Sequence, residues 1–462
     1  MKIVIIGAGP GGYVAGIRAG QLGAKVIVIE DTEVGGTCLN RGCIPTKAII
    51  ASTEMLEKIK DVQEYGLEIK GEVSASLDRI IERKEKVVGT LVKGIKGLFK
   101  GLGIELIEGR GKVLGSGKVW AILKDGAQKE IDADKIIIAT GSRPLNIPAF
   151  PFDGERILSS DDILGLKEIP KGLIIIGAGV IGCEFATIFR SLGTEITMVE
   201  MLPHAVSTED EEISEALERE LKKRKIKLIL NTKVEKVIRK DGDVVATLTD
   251  GSEIRAEKIL VSIGRAFNTD NIGLEESGIN KGKRGEILVN ERMETNIPGI
   301  YAIGDVIGGM MLAHVASTEG LIAVENALGG NRGMDYRVVP SGIFTSPEIG
   351  SVGLREKDAI QKGYDIKIGR FPFRALGKAH ASGEISGIVK IVTDAKDDKV
   401  LGVHIIGPHA TDLVHEAALA MKMGGTAKDI ARTIHAHPTF SEAIMEASED
   451  VHGIAIHIPK KS

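Results

Sequence analysis

The feature that most constrains this chain is a turn it carries twice. An apolar run at residues 2–6 leads into Gly7-Ala8-Gly9-Pro10-Gly11-Gly12, a helical stretch to Leu22, and a second apolar run at 25–29 that ends in Glu30. The pattern returns at 173–176, Gly177-Ala178-Gly179-Val180-Ile181-Gly182, a helical stretch to Leu192, a run at 195–199 and Glu200. Gly7 to Glu30 and Gly177 to Glu200 each span 23 positions. Glycines at this spacing let a strand turn tightly into a helix whose N-terminal N–H groups face a pyrophosphate. An acid at the end of the next strand is placed to accept hydrogen bonds from ribose hydroxyls. A lone G-x-G-x-x-G says little, but strand, helix and acid in order predict a nucleotide site, and here there are two. A later apolar run ending in glycine also repeats, at 136–141 with Gly141 and at 259–264 with Gly264. The first copy is 47 residues longer between these landmarks, which predicts an insertion within it.

Bulk properties exclude several classes. A net charge of −4 gives no electrostatic case for nucleic acid or an anionic membrane as partner. No apolar run approaches the roughly 20 residues of a membrane-spanning helix, and the chain enters its first strand at Lys2, where a secretory signal would otherwise be expected. Three cysteines do not make a secreted disulfide scaffold, so a reducing, cytoplasmic setting is expected. At 462 residues the chain has room for about three domains.

Two of the cysteines, Cys38 and Cys43, fall in the predicted insertion, within Val-Gly-Gly-Thr-Cys-Leu-Asn-Arg-Gly-Cys-Ile-Pro-Thr-Lys at 34–47. A disulfide needs its Cα atoms within about 7 Å, and five residues of ideal helix place them roughly 8–9 Å apart on different faces. A bond therefore requires an irregular first turn, to which Gly42 and Pro45 are suited. Unrelated thiols and half of a zinc site are the alternatives, although a zinc site usually brings further Cys or His ligands and none follow. On the residues alone the redox reading and the unrelated-thiol reading stay open. The third cysteine, Cys183, beside Gly182, reads as a small buried packing residue.

Helical patterns are expected at 45–63 and 76–99, and Pro144, Pro148 and Pro151 mark a linker. Thr-Asn-Ile-Pro-Gly-Ile-Tyr-Ala-Ile-Gly-Asp at 295–305 ends in Asp305, which taken alone reads as a helix cap; a helix follows at 312–328, with His314 in its first turn read as structural. From about residue 339 strand-like runs at 388–392 and 400–406, joined through Asp397-Asp398, predict an antiparallel sheet, with helices at 412–423 and 427–434. Near the end stands His-Ala-His-Pro-Thr-Phe-Ser-Glu at 435–442. Its His-x-His is half of a metal site, but no carboxylate or cysteine cluster completes one, so no metal is expected.

The stretch at 34–47 resembles the redox motif of the flavin-dependent disulfide oxidoreductases, and looks most like the branch that oxidises dihydrolipoamide. The segments at 295–305 and 435–442 are similar to that family's second flavin motif and its His-Pro-Thr-x-x-Glu signature, so the resemblance covers residues 2 to about 448. It implies an α/β fold with two Rossmann-like FAD/NAD(P)-binding domains and an α+β C-terminal dimerisation domain. The expected division is 1–148 (FAD, first part), 149–270 (NAD), 271–338 (FAD and central, second part) and 339–462 (dimerisation). FAD is then expected around Gly7, Gly9, Gly12, Glu30, Gly141 and Asp305, the last meeting the ribitol chain, and NAD around Gly177, Gly179, Gly182, Glu200 and Gly264. NAD should be preferred to NADP, because Glu200 would repel a 2′-phosphate and residues 201–203 supply no Arg or Lys to pair one. By the same resemblance Cys38 exchanges with the substrate thiol, Cys43 faces the flavin, Lys47 pairs with Glu184 beside it, and the helix at 312–328 aims its positive end there. His437 takes the substrate proton and Glu442 orients it. The implied partners are a second copy, forming a homodimer, and a lipoyl-bearing protein of a 2-oxoacid dehydrogenase or glycine cleavage complex. Glutathione-type reductases prefer NADPH and differ at Leu39-Asn40 and Ser441, and mercuric reductases usually add cysteine-bearing segments this chain lacks. A vestigial, non-enzymatic role sits badly with intact cysteines, His437 and both glycine turns.

Overall fold

In the computed structural model, which describes residues 1–115 and 117–460, the repeat is architectural as well as sequential. The first sheet runs Ile300–Ala302, Lys135–Ile138, Lys2–Ile6, Lys25–Glu30, Glu105–Val113, all parallel, and continues antiparallel into Lys118–Leu123 and Gln128–Asp132. The second repeats the order of four of these, Lys258–Val261, Gly172–Ile176, Glu195–Val199 and Lys227–Ile229, all parallel, but its edge strand, Ile157–Leu158, precedes them in the chain where Ile300–Ala302 follows its unit. A three-stranded antiparallel sheet, Val234–Lys240, Asp243–Leu248 and Glu253–Ala256, accompanies it as the second copy's counterpart of that extension.

The uninterrupted apolar runs follow from this layout, since strands covered on both faces have no solvent side. Ile3, Ile5 and Val28 face one core while Val4, Ile6, Ile27 and Ile29 face another. In the second sheet Leu173 and Ile175 divide from Ile174 and Ile176 in the same way.

The copies differ between their second and third strands. Glu105 lies 75 positions after Glu30, whereas Lys227 lies 27 after Glu200, so this interval accounts for the extra length of the first copy. It holds three helices, Gly36–Arg41, Cys43–Lys60 and Leu77–Gly101, where the second copy has only Glu211–Lys223. The helix expected at 45–63 thus begins earlier, at Cys43. Pro45 is tolerated as its third residue because first-turn N–H groups have no intrahelical partner. Ile49 and Ile50 on this helix pack into the core of the second sheet, together with Ile343, Ile349 and Ile406 from the C-terminal part. The insertion is therefore clamped between the other two parts of the molecule.

The linker marked by Pro144, Pro148 and Pro151 is irregular over 145–151 but opens on a regular element. Ser142–Pro144 pairs antiparallel with Arg265–Phe267, so the outgoing and returning connections between the two sheets brace each other. Pro144 sits at the end of this short ribbon, where a missing N–H costs no ladder bond.

The C-terminal part is a five-stranded antiparallel sheet in the order Ser341–Ile343, Glu348–Gly353, Val400–Gly407, Ile388–Asp394, Ile366–Pro372. Helices Ala410–Lys422, Ala427–Arg432 and Glu442–Asp450 pack with it around Phe371, Phe373, Val403 and Ile405. Among the described residues no helix is long and apolar enough to cross a membrane.

Candidate active site

A cavity of about 880 Å³ lies against the first glycine turn and reaches the cysteine helix, Glu184 and the start of the Ala313–Ala327 helix. The glycine turn presents bare backbone to it. A Cβ added at Gly12 would lie 2.0 Å from the Gly7 carbonyl oxygen, and one at Gly7 (φ +101°) 2.3 Å from that of Ala139. Gly36, at the start of the cysteine helix, presses so closely on Gly9 that a Cβ would approach its Cα to 2.6 Å. At Gly141 (φ +69°), by contrast, a Cβ would meet nothing within 4 Å. Such a volume and such a peptide-lined cradle fit an elongated dinucleotide, its phosphates on the N-terminus of the Pro10–Gln21 helix.

The acid of each copy is already oriented. Glu30 accepts the Ala8 N–H at 2.6 Å and the Thr32 N–H at 2.9 Å. Glu200 accepts the Ala178 N–H at 2.7 Å and the Leu202 N–H at 2.9 Å. These bonds tie each carboxylate to its own glycine turn, and both carboxylates are buried. In the second turn a Cβ at Gly182 would sit 2.1 Å from the Gly177 oxygen. Gly177, Gly179, Gly182, Glu200 and Gly264 all lie outside the large cavity, around this second turn and its sheet. Cys183 is fully buried there, its Sγ donating to the Ala178 carbonyl at 3.3 Å, and burial pushes its thiol well above the ordinary value. It is a packing residue, as expected.

Cys38 and Cys43 meet across a break in the helix. The Gly36–Arg41 helix stops at Gly42 (φ −144°, ψ −111°) and a new helix starts at Cys43. A side chain at Gly42 would lie 3.1 Å from the Thr37 carbonyl oxygen and 3.4 Å from the Cys38 Cα. Asn40 holds the preceding loop, donating to the carbonyls of Val34 and Gly36 at 3.1 and 2.9 Å. The pair is present as two thiols, Cys38 half-buried and Cys43 open to the cavity. The Cys38 hydrogen bond, helped by the nearby Lys47 ammonium, outweighs burial and brings the Cys43 thiol down to about 7. That same bond, followed by burial, pushes Cys38 well above the ordinary thiol value. The two thiols are thus pushed in opposite directions, with Cys43 the more acidic member.

Lys47 donates to both oxygens of Glu184 at 2.8 Å, and Glu184, 4 % exposed, also accepts the Phe344 N–H at 3.0 Å. The Lys47 ammonium stands 4.4 Å from the centre of the Phe344 ring. Three parts of the chain converge on one carboxylate. Phe344 escaped sequence reasoning, because a backbone N–H leaves no trace in residue type.

Asp305 also lines the cavity, in the short turn Gly304–Ile307. It caps no helix, contrary to the reading of the residue alone. The Ser142 hydroxyl donates to it, Arg265 in turn donates to Ser142 Oγ at 2.6 Å, and the Arg265 guanidinium lies 3.6 Å from the carboxylate. Both partners come from the ribbon between the two sheets. His314 is structural, its Nε2 2.8 Å from the Pro340 carbonyl.

His437 and Glu442 are together but stand apart from the cysteines. His437 Nδ1 lies 2.9 Å from Glu442 Oε1, while Glu442 Oε2 accepts the Thr439 N–H at 2.8 Å. Burial alone would raise Glu442, but the Thr439 bond and His437 hold it below the usual carboxylate range. The His437 side chain is 75 % exposed, and neither residue lines the cavity. The neighbouring His435 is engaged differently, its Nε2 2.8 Å from Glu416, whose bond raises its pKa.

Two nucleotide turns, a thiol pair with one member tuned toward neutral pH, and a carboxylate-oriented histidine define a dithiol–disulfide oxidoreductase working with dinucleotides. The chain belongs to the pyridine nucleotide-disulphide oxidoreductase family, whose profile matches residues 1–320, with that family's dimerisation domain matching 339–448. It is 44% identical to a dihydrolipoyl dehydrogenase of Bacillus subtilis over 98% of each chain. It is also 44% identical to the mitochondrial dihydrolipoyl dehydrogenase of Homo sapiens, over 96% of this chain and 89% of that one. Among solved structures, LpdA from Mycobacterium tuberculosis superposes with a TM-score of 0.92 at 31% identity, covering 97% of this chain and 99% of that one. The HOCl-induced disulfide reductase RclA from Escherichia coli gives 0.86 at 27%, over 96% and 98%.

Proposed function

We propose that this chain catalyses the dihydrolipoyl dehydrogenase reaction: protein-bound dihydrolipoamide is oxidised to lipoamide and NAD⁺ is the final electron acceptor. The observation that carries the reading is the Cys38–Cys43 pair opening into a dinucleotide-sized cavity beside the Lys47–Glu184 pair. Near-full-length identity to dihydrolipoyl dehydrogenases supports it.

On this reading Gly7, Gly9, Gly12, Glu30, Gly141 and Asp305 hold FAD, and Gly177, Gly179, Gly182, Glu200 and Gly264 hold NAD. When bound, FAD supplies two-electron acceptance from the thiols and hydride delivery to the nicotinamide. With the cysteines joined as a disulfide, a substrate thiolate attacks Cys38 and forms a mixed disulfide, leaving the Cys43 thiolate beside Lys47. The second substrate thiol then displaces Cys38, giving lipoamide and the protein dithiol. His437, held by Glu442, takes the substrate proton, the base-plus-orienter logic of nucleophilic catalysis. Because His437 is exposed and outside the cavity, we assign it to the thiol pair of a second copy in a homodimer. We divide the chain at 1–148, 149–270, 271–338 and 339–462, with the last part dimerising, and place it in the cytoplasm, serving a lipoyl-bearing protein.

The test is turnover of the purified protein with dihydrolipoamide and NAD⁺, beside assays with glutathione disulfide and Hg²⁺. Efficient turnover only with dihydrolipoamide, lost in Cys43→Ser while flavin stays bound, is the expected outcome. Preferred turnover of glutathione disulfide, or a wild-type protein that holds no flavin, would overturn the assignment.

A further inference from the structure

One buried carboxyl near the large cavity has no part in the chemistry above. Glu319, on the Ala313–Ala327 helix, is 2 % exposed. Its Oε2 accepts the N–H of Gly304 at 2.7 Å, and its Oε1 accepts the hydroxyl of Tyr336 at 2.7 Å. Gly304 (φ +72°) opens the short turn that carries Asp305, and Gly304, Asp305 and Ala316 all line the cavity. Tyr336 lies in the connection between this helix and the Ser341–Ile343 strand.

Burial keeps Glu319 above the usual carboxylate range, against the opposing pull of the Tyr336 and Gly304 bonds and with a smaller push from the Asp305 carboxylate. A carboxyl in such a place is retained at a cost, so its two bonds must accomplish something an apolar residue could not. Packing alone is not the explanation, because Gly320 next to it already sets the close approach of the two helices: a Cβ there would lie 2.6 Å from the Gly11 oxygen. What Glu319 adds is direction. It gives the Gly304 N–H an acceptor and so fixes the orientation of the Ile303–Gly304 peptide, the one that leads into the Gly304 turn and hence into Asp305.

We propose that Glu319 is a cofactor-positioning residue, setting Asp305 at the floor of the cavity and, through Tyr336, tying that floor to the segment leading into the C-terminal sheet. The inference rests on the reading that FAD occupies this cavity. It touches no reacting atom, and its effect reaches the cofactor through Asp305.

The test follows FAD release from the holoprotein after dilution, by the rise in flavin fluorescence, below the unfolding temperature. Glu319→Ala should release FAD about ten-fold faster, since it leaves the Gly304 donor unpaired. Glu319→Gln should stay within about three-fold of wild type, because its amide oxygen can serve Gly304 while its NH₂ donates to the Tyr336 oxygen. Tyr336→Phe, which removes one hydroxyl, should be faster by roughly three-fold and keeps the test alive if the alanine variant does not fold. A purely structural brace would weaken the fold without regard to Asp305. Positioning instead predicts non-additivity: adding Glu319→Ala to Asp305→Asn should accelerate release little beyond Asp305→Asn alone. Unchanged release in both Glu319→Ala and Tyr336→Phe, a glutamine variant as leaky as the alanine one, or full additivity with Asp305→Asn would each overturn the proposal. A wild-type protein without flavin would instead remove the reading on which it rests.

Discussion

Cys43 should owe its low pKa mainly to Cys38, and replacing Cys38 by Ala is the sharpest way to expose this. In the dithiol form the Cys38 hydrogen bond is the largest influence lowering Cys43, burial opposes it, and Lys47 contributes less. At about 7, half of Cys43 is thiolate at pH 7. Without the Cys38 donor the thiol should return to about 8.5 or above, leaving roughly 3% thiolate at that pH. The loss is partly offset, because a more basic thiolate is a better nucleophile: with a Brønsted coefficient of about 0.45 the gain is roughly five-fold over 1.5 pH units. Alkylation of reduced Cys43 by iodoacetamide, followed by peptide mass spectrometry, should therefore slow by only about three-fold at pH 7. At pH 10 the variant should be faster by roughly five-fold, so the two pH–rate curves must cross near pH 8. Cys38→Ser, which keeps a donor, should retain a midpoint near that of the wild type. A Cys38→Ala midpoint still near 7, with no crossing, would show that the hydrogen bond does not set the thiolate and that Lys47 or the helix start does.

Lys47→Met should destabilise the protein by about 3 kcal/mol in denaturant titration, because it strips a buried carboxylate of its cation; Lys47→Met combined with Glu184→Gln should recover most of that loss. NAD⁺ should exceed NADP⁺ in kcat/KM by about ten-fold or more, and Glu200→Ser should narrow the gap, since the fixed Glu200 carboxylate repels a 2′-phosphate. Cys38→Ser and His437→Ala proteins, each inactive alone, should on subunit mixing recover roughly a quarter of wild-type activity if sites are shared across a two-fold axis; no recovery despite proven mixed dimers would place His437 with the thiols of its own chain.

What could be read in the sequence was whatever a backbone constraint forces on residue type. Gly7, Gly12, Gly177 and Gly182 were legible because a Cβ at any of them would meet a carbonyl oxygen at 2.0–2.5 Å. The four innermost runs were legible because strands covered on both faces admit no polar alternation. Lys47 with Glu184, and His437 with Glu442, were anticipated only through family resemblance, and the structure brings each pair together. Ser142 and Arg265 on Asp305, Phe344 on Glu184 and Tyr336 on Glu319 were not legible at all. These contacts join residues 17 to 163 positions apart, and nothing local distinguishes their members from ordinary surface or turn residues.

The illegible contacts share a logic. The second nucleotide unit shows what the repeat looks like without redox machinery: the same order of its four main strands, the same turn, the same anchored acid, and one helix between its second and third strands. The first unit differs by the helices that carry Cys38, Cys43 and Lys47. Those helices gain their exact placement from outside their own unit. Ile49 and Ile50 are buried against the second sheet, Lys47 is fixed by a carboxylate on the second unit's first helix, and that carboxylate is fixed by a backbone N–H at the end of the C-terminal sheet's first strand. A thiol pair tuned chiefly by a hydrogen bond tolerates little displacement, because that bond weakens steeply with distance and angle, while the attraction of the nearby ammonium falls more gradually, as 1/r. The Cys38 bond is local to the insertion, but the smaller Lys47 share of the tuning of Cys43 depends on all three parts packed together, and that share should weaken on any change that lets them separate, even one far from the cysteines.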